Sequence, residues 1–195
     1  MLALLYANAF VIGGVVMGFE MLGSRYLNPY FGSGIGTWAA LISTVLCALT
    51  VGYFIGGNLV DRVPSPKVIA GGTGLAAIYL FIVPMSADLV MSRILDTIGD
   101  GPGAILIASA ALLLLPLSAL GMYSPVAIRL LIRSMNESGR VAGMVYGIST
   151  IGNIFGTLFT TFVLIPTIGS RAITYLAASI LVVCSFSLWC TPERG

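Results

Sequence analysis

Gly103-Ala104-Ile105-Leu106-Ile107-Ala108-Ser109-Ala110-Ala111-Leu112-Leu113-Leu114-Leu115-Pro116-Leu117-Ser118-Ala119-Leu120 carries no charge and no alternation of polar and apolar residues. It matches the roughly 20 apolar residues that a helix needs to cross the hydrocarbon core of a bilayer, and it is too long and unpatterned for a strand. Similar runs lie on both sides of it. They predict six membrane helices over residues 2–27, 37–60, 68–85, 104–132, 141–165 and 172–190, the fourth bending at Pro116 and Pro125. The expected fold class is therefore all-α: a single polytopic transmembrane domain covering residues 1–195.

Composition agrees. Of 195 residues, 58% are hydrophobic and 8% charged, with a mean hydropathy of +1.05. A soluble domain carries about 25% charged residues, and disorder needs low hydrophobicity with high charge, so both are excluded. The absence of histidine removes imidazole metal sites, Ser-His-Asp triads and histidine proton relays. Cys47, Cys184 and Cys190 lie in apolar runs without a C-x-x-C pair and read as small packing residues. A net charge of +2 with no run of Lys and Arg gives no reason to expect nucleic acid. The first run lacks a basic leader and is interrupted by Glu20, so it reads as a retained helix rather than a signal peptide.

Lys and Arg set the orientation. Arg62, Lys67, Arg129, Arg133, Arg140 and Arg194 fall on one side, and Arg25, Arg93 and Arg171 on the other. The first side is expected to be cytoplasmic, with both termini there, in a bacterial inner membrane. Residues 87–103 place Leu89, Val90, Ile94, Leu95 and Ile98 at helical spacing among Asp88, Ser92, Arg93 and Asp96, which predicts a short amphipathic helix on the outer interface. Three helices followed by three of opposite topology is the arrangement of inverted repeats in transporters.

Glu20 is the first candidate functional residue. A carboxylate within an apolar helix is costly, so it should face protein, water or a partner charge. Either it binds a cation or proton, or it forms a structural pair. Arg25, five residues on, is badly spaced for pairing within one helix. Arg25, Tyr26, Tyr30 and Trp38 follow closely, and a carboxylate among aromatic rings suits an organic cation. The same aromatics also fit a belt at the headgroups. In the fifth span Tyr146, Ser149, Asn153, Thr157 and Thr160 form a polar stripe, with a weaker one at Ser43, Cys47 and Thr50 in the second. Such stripes line cavities or bond helices together. Gly14-x-x-x-Gly18, Gly52-x-x-x-Gly56, Gly139-x-x-x-Gly143-x-x-x-Gly147 and Gly152-x-x-x-Gly156 predict close helix packing, within one chain or between two. Asp61 and Arg62 follow the second span, between it and the third, and with Arg129 they are candidates for closing the cytoplasmic side.

Three groups of motifs occur in order: Glu20-Met21-Leu22-Gly23-Ser24-Arg25-Tyr26-Leu27-Asn28-Pro29-Tyr30-Phe31-Gly32-Ser33; Gly52-Tyr53-Phe54-Ile55-Gly56-Gly57-Asn58-Leu59-Val60-Asp61-Arg62; and Gly121-Met122-Tyr123-Ser124-Pro125-Val126-Ala127-Ile128-Arg129-Leu130 with Gly139-Arg140-Val141-Ala142-Gly143 and Ser149-Thr150-Ile151-Gly152-Asn153-Ile154-Phe155-Gly156-Thr157. Together they resemble the membrane domain of the spermidine synthase-like membrane proteins, described as major-facilitator/spermidine-synthase fusions. The resemblance implies half of a major-facilitator-like fold, hence a homodimer. It also implies a polyamine or S-adenosylmethionine-related ligand, and either a separate cytosolic synthase-like subunit or a protein that works alone. Members usually continue into an aminopropyltransferase-like domain, which this sequence does not contain.

Three functions are therefore expected candidates. The first is a half-sized, transporter-like protein for a small cationic metabolite, using Glu20, Arg25, Tyr26, Tyr30, Trp38, Ser149 and Asn153, with Asp61, Arg62 and Arg129 as gates. The second is a membrane enzyme, although no second carboxylate, metal cluster or activated nucleophile accompanies Glu20. The third is a membrane anchor for a synthase-like enzyme.

Overall fold

Leu2–Phe31, Ile35–Arg62, Pro66–Ile98, Pro102–Leu131 and Ser138–Trp189 are the five helical runs long and apolar enough to cross a membrane in the computed structural model. The structure describes residues 2–132, 134 and 137–191, and among these there is no strand. The helices are α1 (Leu2–Phe31), α2 (Ile35–Arg62), α3 (Pro66–Ile98), α4 (Pro102–Gly121), α5 (Tyr123–Leu131), α6 (Ser138–Phe159) and α7 (Ile165–Trp189), with a π-helical turn, Thr160–Leu164, between the last two. Arg133 and Arg194, two of the six cationic residues assigned to one side, lie outside the described residues.

The boundaries differ from the expected ones for local reasons. No separate helix occupies 87–103. Its apolar spacing continues that of α3, Met91 is buried, and α3 runs on to Ile98, where Gly99 at φ 90° ends it. The expected 104–132 helix is interrupted at Met122. Pro125 explains the place: it has no N–H for the carbonyl of Gly121. Pro116, by contrast, is accommodated within α4. Residues 141–165 and 172–190 belong to one helical run through the π turn, broken at Gly169 (φ 74°, ψ 159°), a backbone conformation that glycine adopts without strain.

Three close helix pairs organise the bundle: α1 with α6, α2 with α4, and α3 with α7. Glycines set the first two. A methyl on Gly152 would strike the carbonyl of Phe10, and one on Gly156 would strike Gly14. A methyl on Gly52 would strike the carbonyl of Ser118, and one on Gly56 would meet the Met122 backbone at 2.8 Å. In both pairs residue numbers rise together, so the paired helices run parallel. The third pair is antiparallel: Ser185 donates to the Ala70 carbonyl at 2.8 Å, the Phe81 and Tyr175 rings lie 6.2 Å apart, and Arg171 pairs with Asp88. Tyr79 ties α3 to α4 through the Ala111 carbonyl, and Tyr123 ties α5 to α1 through the Leu5 carbonyl.

Candidate functional site

Glu20 is buried, with 7% of its surface exposed. No hydrogen bond or ion pair to it is formed among the described residues; it is the one buried acidic side chain there, while Asn8 Oδ1 and the Ser109 hydroxyl are also buried without a partner. At 3.6 residues per turn, Arg25 lies about 140° round α1 from Glu20. It is exposed, which explains why the two do not pair.

Glu20 stands one turn beyond Val16 on a stripe of α1 that also carries Ile12 and Gly13. Those three residues wall a small, partly open pocket of about 40 Å³ between α1, α2, α4, α5 and α6. The other walls are Leu49 and Tyr53 of α2, Leu120 and Gly121 of α4, Tyr123 and Ser124 of α5, and Ser149 and Asn153 of α6. A water needs about 10–15 Å³ of such space, so the pocket holds a few waters or one small polar group. Beyond Glu20, Gly23 faces Leu41 of α2 and Leu113 of α4. Glu20 therefore lies between the pocket and an apolar layer. At that level α4 carries Pro116, which leaves the Leu112 carbonyl without its helical donor.

The expected polar residues separate into groups. Ser149 and Asn153 reach the pocket. With its amide nitrogen toward α1, Asn153 donates to the Gly13 carbonyl at 2.8 Å and the Ser149 carbonyl at 3.3 Å. Thr157 donates back to the Asn153 carbonyl at 2.9 Å, and Thr160 packs over Gly18. The stripe of α6 is thus both cavity lining and interhelical fastening. Tyr146 is exposed and takes no part in the pocket, and Ser43, Cys47 and Thr50 of α2 are exposed too.

Arg25, Tyr26, Tyr30 and Trp38 do not gather around Glu20. Arg25 and Trp38 are exposed, and Tyr30 packs beside Phe31, with ring centres 6.5 Å apart. Tyr26 is buried and structural. Its hydroxyl meets Thr174 Oγ1 at 2.9 Å, while Thr174 donates to the Ser170 carbonyl, so Tyr26 acts as donor and fastens α1 to α7 just after the Gly169 break.

Asp61 and Arg129 come together, with Oδ1 and Nε 3.8 Å apart, joining the end of α2 to the end of α5. Both side chains are largely exposed. Arg62 is exposed beside them. Tyr53 and Ser124, both pocket residues, escaped the sequence reading because each sits in a run that reads as packing. Among the described residues no group of acidic, cysteine or histidine side chains could hold a metal ion.

No family model matches the chain, and no curated protein or solved structure matches it.

Proposed function

We propose that this chain is a half-sized, transporter-like membrane protein that handles a small organic cation, with Glu20 as the group that meets the positive charge. The observation that carries this reading is Glu20 itself: a carboxylate buried without a partner, on the α1 stripe that leads to a polar pocket in an otherwise apolar bundle. Intramembrane acids of this kind mark ion or substrate paths.

The packing supports two inverted halves, α1–α3 and α4–α7. Exchanging the halves turns the α1/α6 pair into the α4/α2 pair and maps α3/α7 onto itself. In that exchange Phe10 corresponds to Ser118, Gly14 to Met122, Gly52 to Gly152 and Gly56 to Gly156. Carrying the same register along pairs Ile12 with Leu120, Gly13 with Gly121, Val16 with Ser124, Leu49 with Ser149 and Tyr53 with Asn153. Those ten residues and Tyr123 are the walls of the pocket. A cavity on the symmetry axis between two inverted repeats is where alternating-access carriers hold their substrates; at about 40 Å³ this one admits a single ammonium group, and it must widen to take a whole polyamine.

Six crossings belong to this reading. The last run has 52 residues, about 78 Å as a straight helix, more than twice the roughly 30 Å hydrocarbon core. Folding back at Gly169 makes it two spans. Both termini then lie on one side, the cytoplasmic side of a bacterial inner membrane, where Asp61 and Arg129 bridge helix ends. Half of a major-facilitator-like bundle calls for a homodimer. The resemblance to the spermidine synthase-like membrane proteins makes polyamines and S-adenosylmethionine-related compounds the first cations to try. The exposed Arg62, Arg129 and Arg140 favour a second reading, a membrane anchor for a separate synthase-like enzyme.

The test is uptake of labelled spermidine and S-adenosylmethionine into proteoliposomes. Wild type is expected to accumulate one of them, and Glu20→Gln to lose at least tenfold in rate while remaining folded. No uptake by wild type, or equal uptake by Glu20→Gln, overturns the reading. No uptake by wild type, together with a synthase that co-purifies equally with wild type and Glu20→Ala, would favour the anchor.

A further inference from the structure

Among the described residues the acids other than Glu20 are Asp61, Asp88, Asp96, Asp100 and Glu137, and all five are exposed. Asp61 and Asp88 face Arg129 and Arg171 near helix ends. Tyr53, the pocket residue nearest to Asp61 along α2, is eight residues from it, about 12 Å. The described interior of the bundle therefore offers a ligand one negative charge, that of Glu20.

The pocket adds none. Its walls hold no Asp, Glu, Lys or Arg; their polar side chains are the hydroxyls of Tyr53, Tyr123, Ser124 and Ser149 and the amide of Asn153. Tyr123 is committed to the Leu5 carbonyl, and the Asn153 amide nitrogen to the carbonyls of Gly13 and Ser149. The hydroxyls of Tyr53, Ser124 and Ser149 both donate and accept, which suits an uncharged amide or hydroxyl better than a second ammonium, a donor only. Glu20 stands one to two helical turns from Val16 and Gly13, about 6–10 Å along α1. The acidic place and the neutral polar place are thus separate points on one stripe.

A positive charge taken out of water is costly unless it is paired, and one carboxylate pairs with one charge. A further ammonium on the same molecule would enter walls of Ile12, Val16, Leu49 and Leu120 with no anion to meet it. A homodimer does not change the balance, because each Glu20 is covered by its own chain. We infer that the ligand of this site carries a single net positive charge at one end and an uncharged hydrogen-bonding group at the other. This rests on Glu20 as the group that meets the cation and goes further by fixing the charge of what it meets. Of the two compounds in the uptake test, S-adenosylmethionine, with one net positive charge, meets the condition, and spermidine, with three, does not.

A series that varies charge on one four-carbon chain tests it. Butylamine and N-acetylputrescine carry one positive charge, putrescine two and spermidine three at neutral pH. The shared spacer, about 6 Å when extended, matches the separation of Glu20 from the pocket's edge at Val16. Thermal unfolding of the purified full chain is followed as each compound is titrated at constant ionic strength. N-acetylputrescine should reach half-maximal stabilisation at a concentration at least tenfold below that of putrescine or spermidine, and below that of butylamine. Glu20→Gln should remove the effect. The charge series needs only wild type, so it stays readable if the variant folds poorly. Stabilisation that grows with ligand charge and disappears in Glu20→Gln overturns the single-charge inference while leaving Glu20 as the partner of a cation. Equal stabilisation by butylamine and N-acetylputrescine overturns the uncharged polar end. No stabilisation by any of the four, or the same response in Glu20→Gln, overturns this inference and the reading of Glu20 together.

Discussion

The α1/α6 and α2/α4–α5 interfaces share one register and differ in what they leave behind. Each brings a glycine pair of one helix, Gly152 and Gly156 or Gly52 and Gly56, against the backbone of the other. Next to the second interface, Met122, Tyr123 and Val126 stand where the first has Gly14, Val15 and Gly18, and Tyr123 and Val126 are buried. Next to the first, Gly14 and Gly18 leave a groove. Close approach in a bilayer is obtained by deleting side chains, and whether a deletion leaves a void depends on the residues one turn away.

The largest expected effect probes the shared register. Gly52→Leu and Gly152→Leu should each destabilise the fold by about 3 kcal/mol, since neither backbone can retreat. In a fluorescence-detected thermal unfolding assay both should lose folded protein to a similar extent. Gly57→Leu and Gly147→Leu, with open space around them, should behave like wild type. A large difference between Gly52→Leu and Gly152→Leu would break the equivalence of the two interfaces.

Glu20 marks the second asymmetry. Its counterpart in the other half is Ile128, an apolar residue. Glu20→Leu should raise thermal stability by about 1–3 kcal/mol, because an unpaired polar group leaves the interior, and should abolish any stabilisation by spermidine. A fall in stability would mean that the carboxylate has a structural partner. Tyr26→Phe should cost about 1 kcal/mol from the lost hydrogen bond to Thr174, with uptake retained, which urea or thermal unfolding would register. The smallest effect is expected at Asp61 and Arg129. Asp61→Asn should change stability by no more than about 0.5 kcal/mol, as exposed ion pairs do, and added salt should leave wild type and variant equally stable.

Much of this was legible in the chain. Hydropathy gave the helical runs, and the small-residue spacing named Gly14, Gly52, Gly152 and Gly156 as packing positions. Gly139, Gly143 and Gly147 have the same spacing, and a methyl on any of them would meet nothing within 4 Å among the described residues. A four-residue repeat marks one face of a helix without saying whether another helix lies there. The candidate site was only half readable. Ser149 and Asn153 stood out as polar residues in an apolar run, whereas Tyr53, Ser124 and Gly121 gained their place from helices that come together across the bundle. Arg25, Tyr26 and Tyr30 are close to Glu20 in sequence and point elsewhere, because one helical turn rotates neighbours to different faces; Trp38 lies on the next helix, α2, and is exposed.

The sequence by itself determined the medium and the helices: too few charges to face water, and apolar runs long enough to satisfy their backbone internally. Tertiary structure alone decided which glycines meet and which face of α1 encloses Glu20. Those outcomes depend on contacts between residues far apart in the chain, such as Gly52 with Ser118 and Gly152 with Phe10, which local hydropathy does not encode.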